Sequence, residues 1–426
     1  MSEHARTEWF SHDRFGMFVH FGPYSVAARH EWVKNYEELT DEQYAPYVEH
    51  FDPDLFDARR IARTAREAGA RYVVLTTKHH DGFCLWATAQ GDYSSQTTIG
   101  RDLVREFADA VRAEGLRVGF YHSLLDWHHP DYTIDRHHPQ RNAADVAELN
   151  ATRTWSRYRD YLHAQVRELL TEYGDVDYLF FDFTEPAVEN GLPGKTPDEW
   201  GATELLALCR ELQPDMIVND RLGIPADLVT PEQYQPLRPL EQDGEPVLWE
   251  ACQTVNGSWG YHRDNLDAKS PDLLVGMLVD SVAKGGNLLL NVGPTGRGEI
   301  APTDEALFAA IGEWMRLHSG SIYGAGPSTH TPPPQAVYTQ RGDRLFVHVL
   351  SWPFGHLHLP GLAGRIRFAR LLNDGSEILV REIPADQEAN TMTQAGPPPG
   401  TATLSLPVQR PDVVIPVIEL TLGDAR

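Results

Sequence analysis

The stretch DARRIARTAREAGARYVVLTTKHHD, residues 57–81, contains the structural unit that repeats along this chain. Its first half is an amphipathic segment rich in arginine and alanine that stops at Gly69, which predicts a helix. Its second half, RYVVLTT, is a run of β-branched and apolar residues, which predicts a buried strand. Lys-His-His-Asp follows directly at residues 78–81. The question for function is why a buried strand ends in these polar residues.

The same alternation predicts seven to eight strand-and-helix units up to about residue 320. Near-continuous apolar strands between amphipathic helices are typical of a parallel sheet that is covered on both faces. This number of units favours an α/β fold of the (β/α)8-like, TIM-type barrel class over an open doubly wound sheet. No GxGxxG follows the first predicted strand, FGMFVHFG, which disfavours a dinucleotide-binding domain.

The pattern changes after the Pro-rich stretch SIYGAGPSTHTPPPQ, residues 321–335. From Ala336 onward, short alternating runs separated by turn residues predict a C-terminal all-β sandwich. We therefore predict a catalytic barrel at residues 1–330 and a β-sandwich at 331–426. Within the sandwich, TMTQAGPPPGT at 391–401 is interpreted as an exposed hairpin loop.

The composition narrows the possible partners. The formal net charge is −24 and the sequence pI is about 5.1, so we expect no binding to nucleic acid or to anionic membranes. Three cysteines without CxxC spacing disfavour a structural zinc cluster or a disulfide framework. The first residues, MSEHARTEWF, lack the apolar segment of a signal peptide, and we expect a cytoplasmic protein. A homo-oligomer is possible on this sequence.

Polar residues follow every predicted strand, at the end of a barrel where active sites lie. Asp182 is the most informative, because a carboxylate after the apolar run YLFF is costly unless it is paired or functional. A structural aspartate that pairs with an arginine or caps a loop remains the alternative. The predicted strand ends carry His20; His79, His80 and Asp81; Tyr121, His122 and Ser123; Asp182; Asn219, Asp220 and Arg221; Trp249 and Glu250; and Asn291.

Two histidine-rich segments raise the possibility of a metal site. Adjacent residues of an extended strand point to opposite faces, so His79 and His80 can both face the barrel axis only if the strand end turns. The sequence lacks HxH and HExxH spacing, which disfavours a catalytic metal. The second segment, DWHHPDY, is interpreted as a turn ordered by Pro130.

Aromatic residues accompany these polar strand ends. Neutral imidazoles, an arginine, carboxylates and aromatic faces together suit a polyol with one apolar face, which describes a sugar. The aromatic residues in question are Phe21, Trp32, Trp86, Phe180, Phe183, Trp259 and Tyr261.

The motifs resemble those of the α-L-fucosidases of glycoside hydrolase family 29. The similar stretches cover most of residues 8–325, and a weaker similarity runs through the C-terminal sandwich. The resemblance implies a retaining exo-glycosidase with no metal or other cofactor, which removes terminal α-L-fucosyl residues from glycosides or oligosaccharides. The similar stretches include FGMFVHFGPYSV, AGARYVVLTTKHHDGFCLW, GLRVGFYHSLLDWHHPDY, YLFFDF, WEACQTVNGSWGY and GGNLLLNVGPTGRGEI.

The resemblance also implies residue roles. It makes Asp182 the nucleophile; Glu232 in TPEQ is similar to the acid/base position, and Glu250 in WEAC is the rival. On this interpretation the Lys-His-His-Asp cluster binds hydroxyls of a fucose ring. Trp259 is expected in the wall that faces the methyl group of the sugar. The residues that resemble the fucose-binding set are His20, Glu31, Trp32, His79, His80, Tyr121, Arg221 and Trp259.

Two departures from the family pattern concern the apolar lining of the site. The family commonly has His-Trp-Gly where this chain has His20-Phe21-Gly22, and Trp-Phe-Asp-Gly where it has residues 180–183, Phe-Phe-Asp-Phe. We expect Phe21, Phe183 and Trp259 to form the apolar wall, and an α-L-galactosidase is the first alternative function. A metal-dependent amidohydrolase-like barrel and a catalytically inactive sugar-binding module are more remote alternatives.

Overall fold

The computed structural model describes residues 3–189, 191–382 and 397–424. Residues 391–396 of the predicted hairpin loop therefore lie outside the described residues. Within the described part of the chain, no helix is both long enough and apolar enough to cross a bilayer.

Seven parallel strands form one curved sheet. The strands are β1 (Phe15–Val19), β2 (Tyr72–Lys78), β3 (Arg117–Ser123), β4 (Tyr178–Asp182), β5 (Ile217–Val218), β6 (Glu250–Thr254) and β7 (Asn287–Val292). Their order across the sheet is β6-β7-β1-β2-β3-β4-β5. Each strand therefore lies beside the one before it in the chain, except that β5 and β6 are not neighbours.

The segment 228–232 fills the eighth position, between β5 and β6. It forms no regular strand, but isolated parallel bridges attach it to both neighbours and close the ring. The (β/α)8-like barrel predicted from the sequence is confirmed in this form. The bridges join Asn219 to Leu228, Val229 to Trp249, and Glu232 to Cys252.

Helices surround the strands. The helix Ala58–Ala68 shows how the sequence determines their limits: the Asp57 carboxylate accepts hydrogen bonds from two backbone N–H groups at its start, and Gly69 ends it at φ 90°. The longer helices are Glu3–Asp13, Asp41–Glu49, Ala58–Ala68, Leu103–Ala113, Trp155–Glu172, Ala202–Leu212, Pro271–Ala283 and Pro302–His318. The shorter ones are Tyr24–Ala27, Val33–Tyr36, Ser95–Ile99, Val146–Ala151 and Pro197–Trp200, with 3-10 turns at Asp220–Leu222 and Ser319–Ser321.

Each barrel strand has one face toward the helices and one toward the barrel axis. In β1, Phe15, Met17 and Val19 pack against the helices, whereas Phe18 packs inside the barrel with Tyr72. This alternation follows from the two-residue period of a strand. It also means that His20, two residues after Phe18, lies on the inner face.

The C-terminal part consists of two antiparallel sheets packed around a shared apolar core. It contacts the barrel through the Trp314 Nε1–H, which donates to the Ile415 carbonyl at 2.8 Å. The last barrel helix ends at His318 and the first sandwich strand begins at Ala336, on either side of the predicted boundary. The strands are Ala336–Arg341, Arg344–Val349, His356–Leu359, Ile366–Leu371, Leu379–Glu382, Ala402–Ser405 and Val417–Leu422.

Candidate active site

The carboxyl ends of the barrel strands open into a cavity of about 320 Å³. The structure thus brings together residues that are far apart in the sequence. Arg221 lies behind the lining and contacts two of its members. The predicted site residues that line the cavity are His20, Glu31, Trp32, His79, His80, Tyr121, Asp182, Glu232 and Trp259.

Asp182 is the last residue of β4. Its Oδ2 accepts a hydrogen bond from the Tyr121 hydroxyl at 2.8 Å, and its Oδ1 accepts one from Arg221 at 3.3 Å. Burial raises the pKa of Asp182 to about 6, although the Arg221 guanidinium opposes this shift. The carboxylate is therefore mostly ionised at neutral pH.

Arg221 connects two carboxylates. It lies in the turn after β5, where its Nε–H donates to the Thr230 hydroxyl at 2.9 Å. Its guanidinium then contacts Asp182 at 3.3 Å and Glu232 at 2.8 Å. Glu232 belongs to the segment in the eighth barrel position, and 39% of its side chain is exposed. The Asp182 side chain is 15% exposed, so Glu232 is the more accessible of the two acids.

Glu250 lies at the other end of the barrel. The sequence analysis predicted Glu250 at the carboxyl end of a strand. That prediction was wrong, because β6 begins at Glu250 and the residue lies at the amino end. Its carboxyl group accepts hydrogen bonds from the Tyr72 hydroxyl and, at 3.3 Å, from the Tyr178 hydroxyl. Both tyrosines are the first residues of their strands. Burial raises the pKa of Glu250 to about 8, so it is largely protonated at neutral pH.

His79 and His80 both line the cavity, with ring centroids 4.1 Å apart. Regular pairing of β2 with β3 is interrupted between Thr76 and Lys78, and β2 ends at Lys78. The strand end therefore turns, which is the condition under which both rings can face the axis. Burial lowers the pKa of both imidazoles well below its usual value, so both are neutral.

The other two members of the Lys-His-His-Asp cluster point elsewhere. Lys78 forms a buried ion pair with Asp126 at 3.2 Å and donates to Gln165. Asp81 accepts a hydrogen bond from the Tyr44 hydroxyl at 2.8 Å. The prediction that the cluster as a whole binds sugar hydroxyls is therefore wrong for Lys78 and Asp81. These two residues do not line the cavity, and their contacts stabilise the turn after β2.

Two buried polar atoms of the cavity residues form no hydrogen bond. They are Oε1 of Glu31, which lies 3.3 Å from Nδ1 of His30, and Nδ1 of His79. The other oxygen of Glu31 accepts the Gly260 N–H at 2.7 Å, and burial raises the pKa of Glu31 to about 8. Unpaired buried polar atoms are costly, so their presence in a cavity indicates that a polar ligand completes them.

The apolar wall differs from the prediction at one position. Phe21 is buried against Phe51 and Phe56, with centroids 5.4 Å apart in each pair, and it does not line the cavity. Phe18 and Phe180 line it instead, together with Phe183 and Trp259. Phe18 was missed as a site residue although the sequence carried a signal, since it lies two residues before His20 on the same strand face.

Several residues that line the cavity have strained backbone conformations. Three of its lining residues adopt left-handed backbone conformations that side chains rarely take: His30 at φ 97°, Phe183 at φ 83° and Gln233 at φ 57°. Such strain is commonly found at functional sites. It also explains why the family commonly has glycine where this chain has Phe183, whose ring packs 5.3 Å from that of His80.

The second histidine-rich segment forms an ordered loop. The Asp126 carboxylate accepts hydrogen bonds from the backbone N–H groups of His128 and His129, and the His128 ring stacks on Tyr93 at 3.7 Å. Across residues 3–189, 191–382 and 397–424, no group of three or more histidine, cysteine, aspartate or glutamate residues is placed so that it could hold a metal ion.

A family model described as Alpha-L-fucosidase matches residues 1–320. The chain belongs to the α-L-fucosidase family. It is thus a glycoside hydrolase, and the cavity with its two linked carboxylates lies within the part of the chain that the α-L-fucosidase model matches.

Individual α-L-fucosidases agree with this assignment. The tissue alpha-L-fucosidase of Bos taurus is 31% identical over 379 residues, which are 82% of this chain and 76% of that protein. Alpha-L-fucosidase isoenzyme 1 from Paenibacillus thiaminolyticus is 43% identical, and its structure superposes with a TM-score of 0.91 over 100% of both chains. A family 29 fucosidase from Bacteroides thetaiotaomicron, trapped as a covalent intermediate with 2-fluoro-fucosyl fluoride, is 26% identical; its TM-score is 0.82 over 98% of this chain and 96% of that one.

Proposed function

We propose that this α-L-fucosidase is a retaining exo-enzyme in which Asp182 is the nucleophile and Glu232 is the acid/base. The observation that carries the proposal is the position of Arg221, which contacts Asp182 at 3.3 Å and Glu232 at 2.8 Å at a single cavity. Retaining glycosidases use two carboxyl groups on opposite sides of the scissile bond. The covalent intermediate trapped on the Bacteroides thetaiotaomicron enzyme supports the same chemistry.

The environments of the two acids suit these roles. Asp182 is buried but receives hydrogen bonds from Tyr121 and Arg221, which favour its charged form. It attacks the anomeric carbon, while protonated Glu232 gives its proton to the leaving oxygen as the glycosidic bond breaks. Glu232 is partly exposed, so it can reach both the leaving group and, in the second step, an incoming water molecule. That water loses its proton to Glu232 and releases the sugar from Asp182.

The form of the site suits a terminal sugar. A cavity of about 320 Å³ that is lined both by polar side chains, among them His79, His80 and Glu31, and by aromatic rings matches a deoxysugar with several hydroxyls and one methyl group. Because the base of the cavity is the interior of the barrel, only the end of an oligosaccharide can enter. The proposed substrates are therefore fucosylated oligosaccharides or glycosides.

The stereochemical outcome tests the mechanism. An aryl α-L-fucoside is hydrolysed in an NMR tube, and the anomeric proton of the first product is followed before mutarotation. The proposal predicts α-L-fucose as the first product. Appearance of β-L-fucose first would contradict a double displacement, while the absence of hydrolysis beside a positive control fucosidase would contradict the activity itself.

A further inference from the structure

Ser123 lies beneath His80 and contacts two groups at once. Its hydroxyl lies 2.6 Å from Nδ1 of His80 and 2.8 Å from the carbonyl oxygen of Leu125. A carbonyl can only accept a hydrogen bond, so the single hydroxyl proton of Ser123 is directed at Leu125. The Ser123 oxygen is then an acceptor toward His80, and Nδ1 must carry the proton that makes this contact.

We propose that Ser123 is a positioning residue that fixes His80 as the Nδ1-protonated tautomer, so that Nε2 presents a lone pair beside Asp182. A neutral imidazole carries one proton, and the contact with Ser123 uses it. Nε2 of His80 lies 3.7 Å from Oδ2 of Asp182. Two acceptors therefore face each other, and His80 does not donate to the carboxylate.

This arrangement has two consequences for catalysis, and they rest on the proposed role of Asp182. First, Oδ2 keeps the Tyr121 hydroxyl as its neutral donor, and no imidazole N–H reduces its nucleophilicity. Second, a ligand hydroxyl placed between the two acceptors can donate to Nε2 of His80. The site is thus prepared for a group with an O–H, which a carbohydrate supplies.

His20 shows the same arrangement with a different partner. The Asn291 amide donates through Nδ2 to the Trp259 carbonyl at 2.7 Å, so its oxygen is the atom that lies 2.7 Å from Nδ1 of His20. His20 therefore also carries its proton on Nδ1 and leaves Nε2 for a ligand. His79 differs, because its buried Nδ1 has no partner. Two of the four histidines that line the cavity, His20 and His80, are thus fixed with Nε2 as an acceptor, whereas no hydrogen bond at Nδ1 sets the tautomer of His79.

The chain offers a matched control for Ser123. The Thr77 hydroxyl makes the same relay, donating to the Tyr121 carbonyl at 2.8 Å and lying 3.0 Å from Nδ1 of His122. Thr77 and Ser123 are both fully buried, but the His122 ring does not line the cavity. Thr77→Val thus removes an equivalent relay from a histidine outside the site.

The direct test is ¹⁵N NMR of protein labelled at histidine nitrogens, with the His80 signals assigned by a His80→Gln variant. The wild type should show Nδ1–H and an unprotonated Nε2, and Ser123→Ala should move proton occupancy toward Nε2. A wild-type Nε2–H, or an unchanged tautomer in Ser123→Ala, would overturn the proposal. This measurement needs no turnover, so it is independent of the identity of the nucleophile.

Kinetics supplies the second measurement. Ser123→Ala should lower kcat/KM by roughly tenfold to a hundredfold, the loss seen at metal sites when the hydrogen-bond partner of a ligating histidine is removed. Ser123→Thr, which keeps the hydroxyl, should recover both the tautomer and most of the rate, whereas Thr77→Val should remain within a few-fold of the wild type. Equal losses in Ser123→Ala and Thr77→Val would show a merely structural role and overturn the positioning assignment. The tautomer of the wild type decides the question even if Ser123→Ala does not fold.

Discussion

The two ends of the barrel each hold a buried acid, and the two acids are prepared for opposite purposes. At the upper end, where the strands open into the cavity, Asp182 is the last residue of β4 and forms an ion pair with Arg221. At the lower end, Glu250 is the first residue of β6 and accepts hydrogen bonds from Tyr72 and Tyr178 in the closed interior. Burial raises the pKa of both, to about 6 for Asp182 and about 8 for Glu250. On the proposed assignment, the reactive acid is the one that has a cation and an opening to solvent beside it.

The largest expected effect comes from removing the acid at the upper end. Asp182→Gly should lose on the order of 10⁴-fold or more in kcat with an intact fold, because the nucleophile forms the covalent bond. Glu250→Gln, the matched change at the lower end, should stay within a few-fold of wild-type kcat. Turnover is measured with an aryl fucoside and folding by circular dichroism. If Asp182→Gly kept more than a few per cent of wild-type turnover, Asp182 would not be the nucleophile and the proposed difference between Asp182 and Glu250 would be wrong.

The next effect concerns Glu232, which the structure links to the upper end alone. Glu232→Ala should slow hydrolysis of a fucosyl disaccharide by about 10²- to 10⁴-fold and a nitrophenyl fucoside far less, because nitrophenolate leaves without a proton. Azide should restore turnover and yield α-fucosyl azide, since it needs no base.

Glu250 provides the counterpart to that experiment. If Glu250→Gln showed the leaving-group dependence and the α-azide while Glu232→Ala did not, Glu250 would be the acid/base. The assignment of both catalytic acids to the upper end of the barrel would then be wrong.

A smaller effect is expected from Arg221, whose positive charge influences the pKa of Asp182. The Arg221 guanidinium lowers the pKa of Asp182 against the effect of burial, so Arg221→Met should raise it, by roughly one unit or more. Activity needs the ionised carboxylate and is lost as the pH falls through this pKa. The acid limb of kcat/KM should therefore move to higher pH in Arg221→Met and stay in place in Glu250→Gln. An unmoved limb in Arg221→Met would assign that limb to another group.

The last effect is on stability and belongs to the lower end, which holds Glu250. The pKa of Glu250 is about 8 in the folded protein against 4.5 ordinarily, so between these values the folded state holds one extra proton. Stability should fall as the pH rises through this window, by about 1.4 kcal/mol per pH unit for a full proton. Glu250→Gln should remove that slope while leaving the slopes due to other groups. Denaturant unfolding from pH 5 to pH 8 measures it, and parallel curves for both proteins would contradict a protonated Glu250.

The sequence predicted the strands better than the ends of the strands. Each of the seven strands overlaps an apolar run of the sequence, because burial on both faces requires continuous apolar residues. The strand end predicted at Trp249 and Glu250 is instead the beginning of β6, and this misplaced Glu250. The burial pattern does not mark the shift, since Trp249 and Glu250 are as buried as the strand residues that follow them.

The site was predictable as a set of residue types but not as a geometry. Motif order identified His79, His80 and Asp182, whereas the contact of Arg221 with both carboxylates depends on the segment 228–232, whose path has no local sequence signal. Phe21 was expected in the wall because it stands where the family commonly has tryptophan, yet its ring does not line the cavity and packs against Phe51 and Phe56. Roles that depend on which way a side chain points needed the structure.

The most direct test of the central claim is to identify the residue that becomes covalently attached to the sugar. The protein, as wild type and as Glu232→Gln, is incubated with 2-fluoro-fucosyl fluoride, digested, and sequenced by mass spectrometry. Fluorine at C2 slows both steps, while fluoride as leaving group lets the first proceed, so the glycosyl-enzyme accumulates. The account predicts one fluorofucosyl group on Asp182. An adduct on Glu232 or Glu250, or a β-configured product released without any adduct, would contradict it.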